Sequence, residues 1–484
     1  MSRRATQEPT FRRRVLSSFA WMGSAQFFGQ LITWTVTILV IRLLEPSDYG
    51  VMAMATVFLS FLLMLSDLGI GAAIVQADEI NHDDARYIQG FIVLFNMAGF
   101  VLTIAGSSLV AAFFNEPRLV PILNVLSSCF LLMVFYVYPQ AMLQRELHFD
   151  RKAKVDFFAL TIGAFVSLAC ALLGLGVWAL VAGAISIHAV RAVGFNIAWR
   201  GVPSPRFSLS QASTFLRFGG AIVASRVLWF LYSNLDVAIA GKLLGKELVG
   251  IYSVALTLSW IPLRKVMPIV TQVSFSAFSR IQNDRERVEK NVLLSIRYSF
   301  ALFLPVFWGM ALVAPDGIPI ALGGQWALVV VPLQLICLIL PLRAIVAVLS
   351  PALFGVGKPL VNVVNAAIVL PLMAFAFFLG ASSGLVGLAA AWLFGYPIAF
   401  AIITMRSLPV LGVSWRGVWR NIQTSLLAAA VMVGAVVCVQ FAAREATPLL
   451  RLIASVACGA IVYLGIFHFA DRKAIDELKD LLKR

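Results

Sequence analysis

Apolar residues run in long blocks from one end of the chain to the other, separated by short polar turns. Fourteen blocks reach or approach the roughly 20 residues that a bilayer-crossing helix needs. They lie at approximately 15–44, 50–76, 88–114, 119–143, 155–174, 177–199, 214–241, 248–279, 292–314, 326–354, 359–380, 384–405, 419–441 and 449–470. Short alternating segments of the outer-membrane-barrel kind are not evident. The pattern predicts an all-α, polytopic membrane protein of about 14 transmembrane helices. The first block has no small-residue cleavage pattern after it, so it reads as a first span and not as a removed signal peptide.

One hairpin departs from the apolar rule. Residues 226–265 read RVLWFLYSNLDVAIAGKLLGKELVGIYSVALTLSWIPLRK, with Arg226 and Asp236 inside one run and Arg264 and Lys265 inside the next, beside Pro262 and Pro268. Ionisable groups at such depth are costly and normally face a bundle interior or a wet cavity. The hairpin also echoes an earlier one: RLLEPSDYG at 42–50 and KLLGKELVG at 242–250 share a base, two leucines, a polar turn and a glycine at an offset of 200. That offset places the seventh span on the first, so the chain is expected to hold two six-helix lobes in parallel orientation. They would be related by a pseudo-two-fold axis along the membrane normal, with two C-terminal helices appended. The expected division is a basic cytoplasmic N-terminus (1–14), an N-lobe (15–199), a cytoplasmic linker (200–213), a C-lobe (214–405), the last two spans (406–470) and a cytoplasmic tail (471–484).

Composition and charge agree with this reading. Of 484 residues, 61% are hydrophobic and only 13% charged, where a soluble protein carries about a quarter. The net charge of +15 does not call for a nucleic-acid partner, because the bases gather in loops on one side. With the N-terminus inside, 27 of the 38 Lys and Arg residues fall on the cytoplasmic side, five on the other, and six (Arg42, Arg191, Arg226, Arg264, Lys265 and Arg343) in or at the ends of spans. That bias supports fourteen spans with both termini in the cytoplasm.

Polar residues inside spans are the candidate functional groups. On the first span Gln26, Gln30, Thr33 and Thr37 fall within about 60° of one face, and on the second Thr56, Ser60 and Asp67 share a face. Hydrogen bonding between helices and lining of a cavity both account for such stripes. Asp67 either caps and pairs near its helix end or serves a coupling ion. On the eighth span Pro262 and Pro268 predict a break or kink mid-membrane, next to Arg264, Lys265 and Gln272. Arg343 follows Pro341 in the same way. Four bases (Arg226, Arg264, Lys265, Arg343) against two acids (Asp67, Asp236) point to a cationic interior that would hold an anion, with salt bridging as the alternative. Arg226 and Asp236 lie about 80° and about 15 Å apart on one helix, which disfavours a direct pair.

Other chemistry is excluded by what the sequence does not contain. There is no HExxH, GxSxG, Walker A or paired-carboxylate pattern. The five cysteines (Cys129, Cys170, Cys337, Cys438, Cys458) are scattered through apolar segments and read as packing residues. The four histidines lie in or near loops or span ends, and Asn81-His82-Asp83-Asp84 reads as a hydrated turn and not as a metal site. No cofactor is implied; uphill transport would draw on an H+ or Na+ gradient, with Asp67 and Asp236 as candidates for the coupling ion. The longest extracytoplasmic loop, 315–325, is too small for a membrane polymerase or glycosyltransferase.

The stretches RLLEPSDYGVMAMATVFLSFLLMLSDLGIGAAIVQ and NLDVAIAGKLLGKELVGIYSVALTL…IPLRKVMPIVTQVSFSAFSRIQND resemble bacterial polysaccharide transporters, the Wzx-type flippases and their colanic-acid- and xanthan-exporter relatives. These belong to the multidrug/oligosaccharidyl-lipid/polysaccharide superfamily, and the resemblance runs from about residue 15 to 410. It implies a V-shaped pair of lobes working by alternating access in the bacterial inner membrane. The cargo it implies is an undecaprenyl-diphosphate-linked oligosaccharide, with a polysaccharide polymerase and chain-length regulator as partners. The diphosphate would meet Arg226, Arg264, Lys265 and Arg343, of which only Arg264 and Lys265 lie in a matched stretch. Sugar hydroxyls would meet Gln26, Gln30, Asn234 and Gln272. A cation-coupled multidrug antiporter of the same superfamily is the alternative, but it should show acids outnumbering bases.

Overall fold

The computed structural model describes residues 33–67, 74, 79–207, 209–282 and 284–470. Side chains at 67, 209–226, 265, 266, 268–277, 279, 280 and 470 lie outside that description, as do residues 1–32 and 471–484. Most described residues are helical, with no strand among them. Twelve of the helices are long and apolar enough to cross a membrane. This chain is therefore a multi-pass, all-helical membrane protein, as the apolar blocks predict.

In order, the helices are α1 (Thr33–Leu43), α2 (Pro46–Asp67), α3 (His82–Phe114), α4 (Leu119–Leu126), α5 (Ser128–Arg145), α6 (Phe149–Leu172) and α7 (Val177–Ala198). Then come α8 (Leu209–Ile281), α9 (Arg285–Leu322), a 3-10 turn at Gly324–Val329, α10 (Val330–Gly355), α11 (Pro359–Ser382), α12 (Gly384–Val410), α13 (Trp415–Ala442) and α14 (Pro448–Ala470). By contacts the chain forms two compact units, one of Met1–Asp48 with Phe58–Val223, the other of Tyr49–Val57 with Ala224–Arg484.

In the first unit, α3 begins at a capping box: the Asn81 side chain accepts from the Asp84 amide while Asp84 accepts from the Asn81 amide. The Asn-His-Asp-Asp run is thus a helix start, not a loose hydrated turn. Asp83 also binds Arg206 (3.0 Å), a residue of the segment that leads to α8. The Arg206 amide donates to the Arg86 carbonyl (2.9 Å) and Arg86 Nε to the Ser204 carbonyl (3.4 Å), so the segment is clasped onto the first turns of α3. Gly90 makes that approach possible: a Cβ there would overlap the Arg206 carbonyl. The extended segment ends earlier than expected, since α8 starts at Leu209. One further correction falls here. His188 is not near a loop but within α7, where its Nδ1 shares a 3.0 Å hydrogen bond with Tyr136.

In the second unit, α8 is two arms (209–244 and 246–281) broken at Gly245, whose φ of 77° and ψ of 172° are non-helical. A positive φ of this kind suits glycine, which has no Cβ to clash. Of the break or kink expected at Pro262 and Pro268, the break is absent: the second arm stays helical through both. The physical reason is that proline removes one intrahelical hydrogen bond but fixes φ near the helical value. In the same way α9 runs through Pro305, Pro315 and Pro319 to Leu322, so most of the expected 315–325 loop is helix.

The last two helices are fastened to α9. Gln440 donates to the Leu312 carbonyl (2.9 Å), Tyr463 to the Ala301 carbonyl (2.7 Å), and Arg451 forms an ion pair with Asp316. Beneath them Phe300, Leu304, Ile345, Leu349, Met432 and Val436 belong to one buried core. The start of α2 also packs in this unit. The Tyr49 ring meets Trp326 edge-on at 5.6 Å, and Gly50 lies so close to the Lys246 carbonyl that a Cβ would overlap it.

Candidate functional site

Among the described residues, the second unit buries one arginine, Arg343, without giving it an acceptor. Arg343 sits on α10 two residues after Pro341, a proline the helix absorbs without ending. The side of α10 that carries it is packed on helices of the same unit, and Arg343 itself is only 9% exposed. Its guanidinium lies against four aromatic rings: Trp260 at 4.3 Å, Trp392 at 5.0 Å, Tyr396 at 5.3 Å and Tyr232 at 5.4 Å from the ring centroids. No described residue accepts a hydrogen bond from it or forms an ion pair with it. None of its nitrogens is both sealed from solvent and unbonded.

That arrangement is energetically one-sided. Fully desolvating a guanidinium costs several kcal/mol on the order-of-magnitude scale for buried ions, and Arg343, with its nitrogens still reaching solvent, bears part of that cost. Each ring face returns about 0.5–2 kcal/mol. The rings therefore offset part of the cost and hold the planar cation in place, while no described residue takes its N–H donors. A planar, permanently charged fork with free donors is suited to bidentate recognition of phosphate or carboxylate.

A carboxylate stands behind the rings. Asp236, 2% exposed, lies one helical turn after Tyr232 on the first arm of α8. Tyr252, on the second arm, donates its hydroxyl to Asp236 Oδ2 (2.9 Å), and the Val237 amide donates to Oδ1 (2.8 Å). The Tyr252 oxygen in turn accepts from Trp392 Nε1 (2.7 Å). Asp236 and Tyr252 are 16 residues apart, which is about 24 Å along a straight helix. Their contact therefore requires the chain to reverse at Gly245, as the sequence hairpin predicts. Asp236 lies within electrostatic range of Arg343, but the two form no direct ion pair.

The other expected site residues divide three ways. Asn234 is half-buried and donates to the Phe230 carbonyl of its own helix (3.0 Å). Arg264 is exposed on the second arm. Gln26 and Gln30 lie outside the described residues, and the side chains of Arg226, Lys265, Gln272 and Asp67 are likewise not described. Of the expected stripes, Thr37 and Thr56 donate to carbonyls four residues earlier on their own helices, Thr33 (2.8 Å) and Met52 (2.7 Å). This is the local back-bonding that hydroxyls use mid-helix.

Sequence reasoning named Arg343 and Asp236, which the structure buries in one cluster, but did not name the aromatic residues that join them. The available signal was local: Tyr232 with Asp236, and Trp392 with Tyr396, are pairs one turn apart on single helices. A second polar cluster, in the first unit, is fully paired. Asp156 on α6 binds Lys152 (3.0 Å) and Arg191 of α7 (3.0 Å), beside the Tyr136–His188 pair.

Comparison with known proteins bears on the whole chain. The family described as "Polysaccharide biosynthesis protein" matches residues 38–331. The lipopolysaccharide biosynthesis protein WzxC of Escherichia coli (strain K12) is 25% identical over 342 residues, covering 69% of this chain and 69% of that protein. The succinoglycan biosynthesis transport protein ExoT of Rhizobium meliloti (strain 1021) is 26% identical over 464 residues, covering 93% of this chain and 91% of its own. Among solved structures, the lipid II flippase MurJ in an inward closed conformation aligns with a TM-score of 0.74. That match covers 94% of this chain and 100% of that one at 14% identity, a likeness of fold.

Proposed function

Because the chain belongs to the polysaccharide biosynthesis protein family, we propose that it is a flippase carrying a lipid-linked oligosaccharide repeat unit across the membrane by alternating access. The relative named as a succinoglycan biosynthesis transport protein supports a transporter in polysaccharide assembly over an enzyme. The observation that carries the substrate reading is Arg343: a buried cation, ringed by four aromatic side chains, with its donors taken by no described residue. An undecaprenyl diphosphate headgroup is the anion it would receive. An unmatched guanidinium also favours an anionic cargo over the cationic drug of a multidrug antiporter.

In this reading the chain lies in the bacterial inner membrane with both termini in the cytoplasm, on the strength of its one-sided Lys and Arg distribution. An H+ or Na+ gradient would drive it, and a polysaccharide polymerase and chain-length regulator would work beside it. The direct test is Arg343→Ala in a strain lacking the chromosomal copy, with the membrane level of the protein measured in parallel. Hydrogen bonds from a charged donor are worth about 1.5–3 kcal/mol, so polysaccharide export at equal protein level should fall about 10- to 100-fold. Full export by Arg343→Ala would refute the anion-site reading.

A further inference from the structure

We infer that Asp236 is a positioning residue for the Arg343 site and not the carrier of the coupling ion; the inference rests on the anion-binding reading of that site. Both carboxylate oxygens are already occupied by donors, Tyr252 Oη on one and the Val237 amide on the other. The group is 2% exposed and its partner Tyr252 is 0% exposed. Each oxygen keeps a second lone-pair site, but the group is almost sealed, so a hydrated coupling ion has little access to it.

What the carboxylate does instead can be followed atom by atom. Tyr252 spends its proton on Asp236, which turns the hydroxyl oxygen toward Trp392 Nε1–H. The indole is thereby pinned at its nitrogen, while Phe377 packs against it edge-on at 5.1 Å. With both constraints its face lies against the Arg343 guanidinium at 5.0 Å. The same two helical turns deliver further rings: Tyr232 precedes Asp236 by four residues and Tyr396 follows Trp392 by four. One buried carboxylate thus ties the two arms of α8 to α12, and the aromatic wall these helices form is what orients the arginine brought in by α10.

The two roles ask different things of position 236. A coupling role needs a group that can take up a proton or set a negative charge against a cation, which the neutral asparagine amide does not supply. A positioning role needs above all an acceptor for Tyr252, which the asparagine amide oxygen does supply, its NH2 then replacing the oxygen that faces the Val237 amide. The experiment uses the full chain in lipid nanodiscs, with farnesyl diphosphate as the binding probe, and polysaccharide export in a deletion strain. Asp236→Asn should bind within about threefold of the unaltered protein and export normally. Asp236→Ala and Tyr252→Phe should each bind about tenfold more weakly, because the buried hydroxyl–indole chain loses its anchor. Trp392→Phe keeps a ring but not the N–H and should also bind more weakly. Added to Arg343→Ala, the Asp236→Ala change should have no further effect on binding. Loss of export by Asp236→Asn with unchanged binding would overturn the inference in favour of ion coupling. So would unchanged binding by Asp236→Ala, Tyr252→Phe and Trp392→Phe together, or an additive double variant. Failure of the anion-site reading is separately visible, as wild-type binding by Arg343→Ala alone.

Discussion

The segment that enters α8 can be released by a single methyl group. In Gly90→Ala the new Cβ would overlap the Arg206 carbonyl oxygen and sit 2.9 Å from its carbon. A carbon–oxygen contact normally settles at about 3.3 Å, so segment and helix must separate by roughly an ångström. The Arg206 amide is 2.9 Å from the Arg86 carbonyl; a shift of that size carries it beyond hydrogen-bond range. Losing it removes about 0.5–1.5 kcal/mol. The Arg206–Asp83 pair is half-exposed on both sides and adds about 0–1 kcal/mol. The clasp is therefore weakened by about 1–2 kcal/mol, a factor of about 5–30 in the open population. Cleavage of a transiently opened segment tracks that population when opening is fast. Limited trypsin digestion in detergent should cut after Arg200 and Arg206 about 5–30 times faster in Gly90→Ala, leaving two membrane-embedded fragments. Equal cleavage rates in the two proteins would refute the clasp.

Two other changes probe the second unit. Trp260→Leu removes the ring nearest Arg343, at 4.3 Å, and should weaken farnesyl diphosphate binding about 3- to 30-fold, the equivalent of about 0.5–2 kcal/mol; Trp260→Phe should recover most of it. Gly50→Val places a Cβ on the Lys246 carbonyl and should destabilise by about 1–3 kcal/mol through overpacking, read as a lower thermal midpoint in detergent and reduced membrane levels.

How much of this was legible depends on the range of the interaction. Apolar run length is local and large, so nearly every described helix lies where a block predicts one. The reversal in α8 was also legible, because the polar turn and Gly250 repeat those at Gly50, although the break itself falls at Gly245. Helix interruption was misjudged at Pro262 and Pro268 because the cost of proline depends on whether the lost hydrogen bond is compensated by packing, which no local pattern records. Arg343 was identifiable because a charge within an apolar run is rare. Its surroundings were not: the hydrogen bond that sets the Trp392 ring spans 140 residues of sequence.

The repeat acquires a physical meaning from the contact between its copies. Gly50 and Lys246 belong to the two turns that match at an offset of 200, and in the structure the first copy's glycine lies against the second copy's carbonyl. An interaction between equivalent turns explains why the first copy needs a glycine where a helix would otherwise favour alanine. A glycine in a helix costs about 1 kcal/mol relative to alanine. That cost is offset only if a close backbone approach depends on it, and overlap of any Cβ with Lys246 means that here it does. The match between the turns is therefore not explained by turn propensity alone: the same feature that marks the repeat in the sequence also lets the start of α2 pack against the reversal of α8.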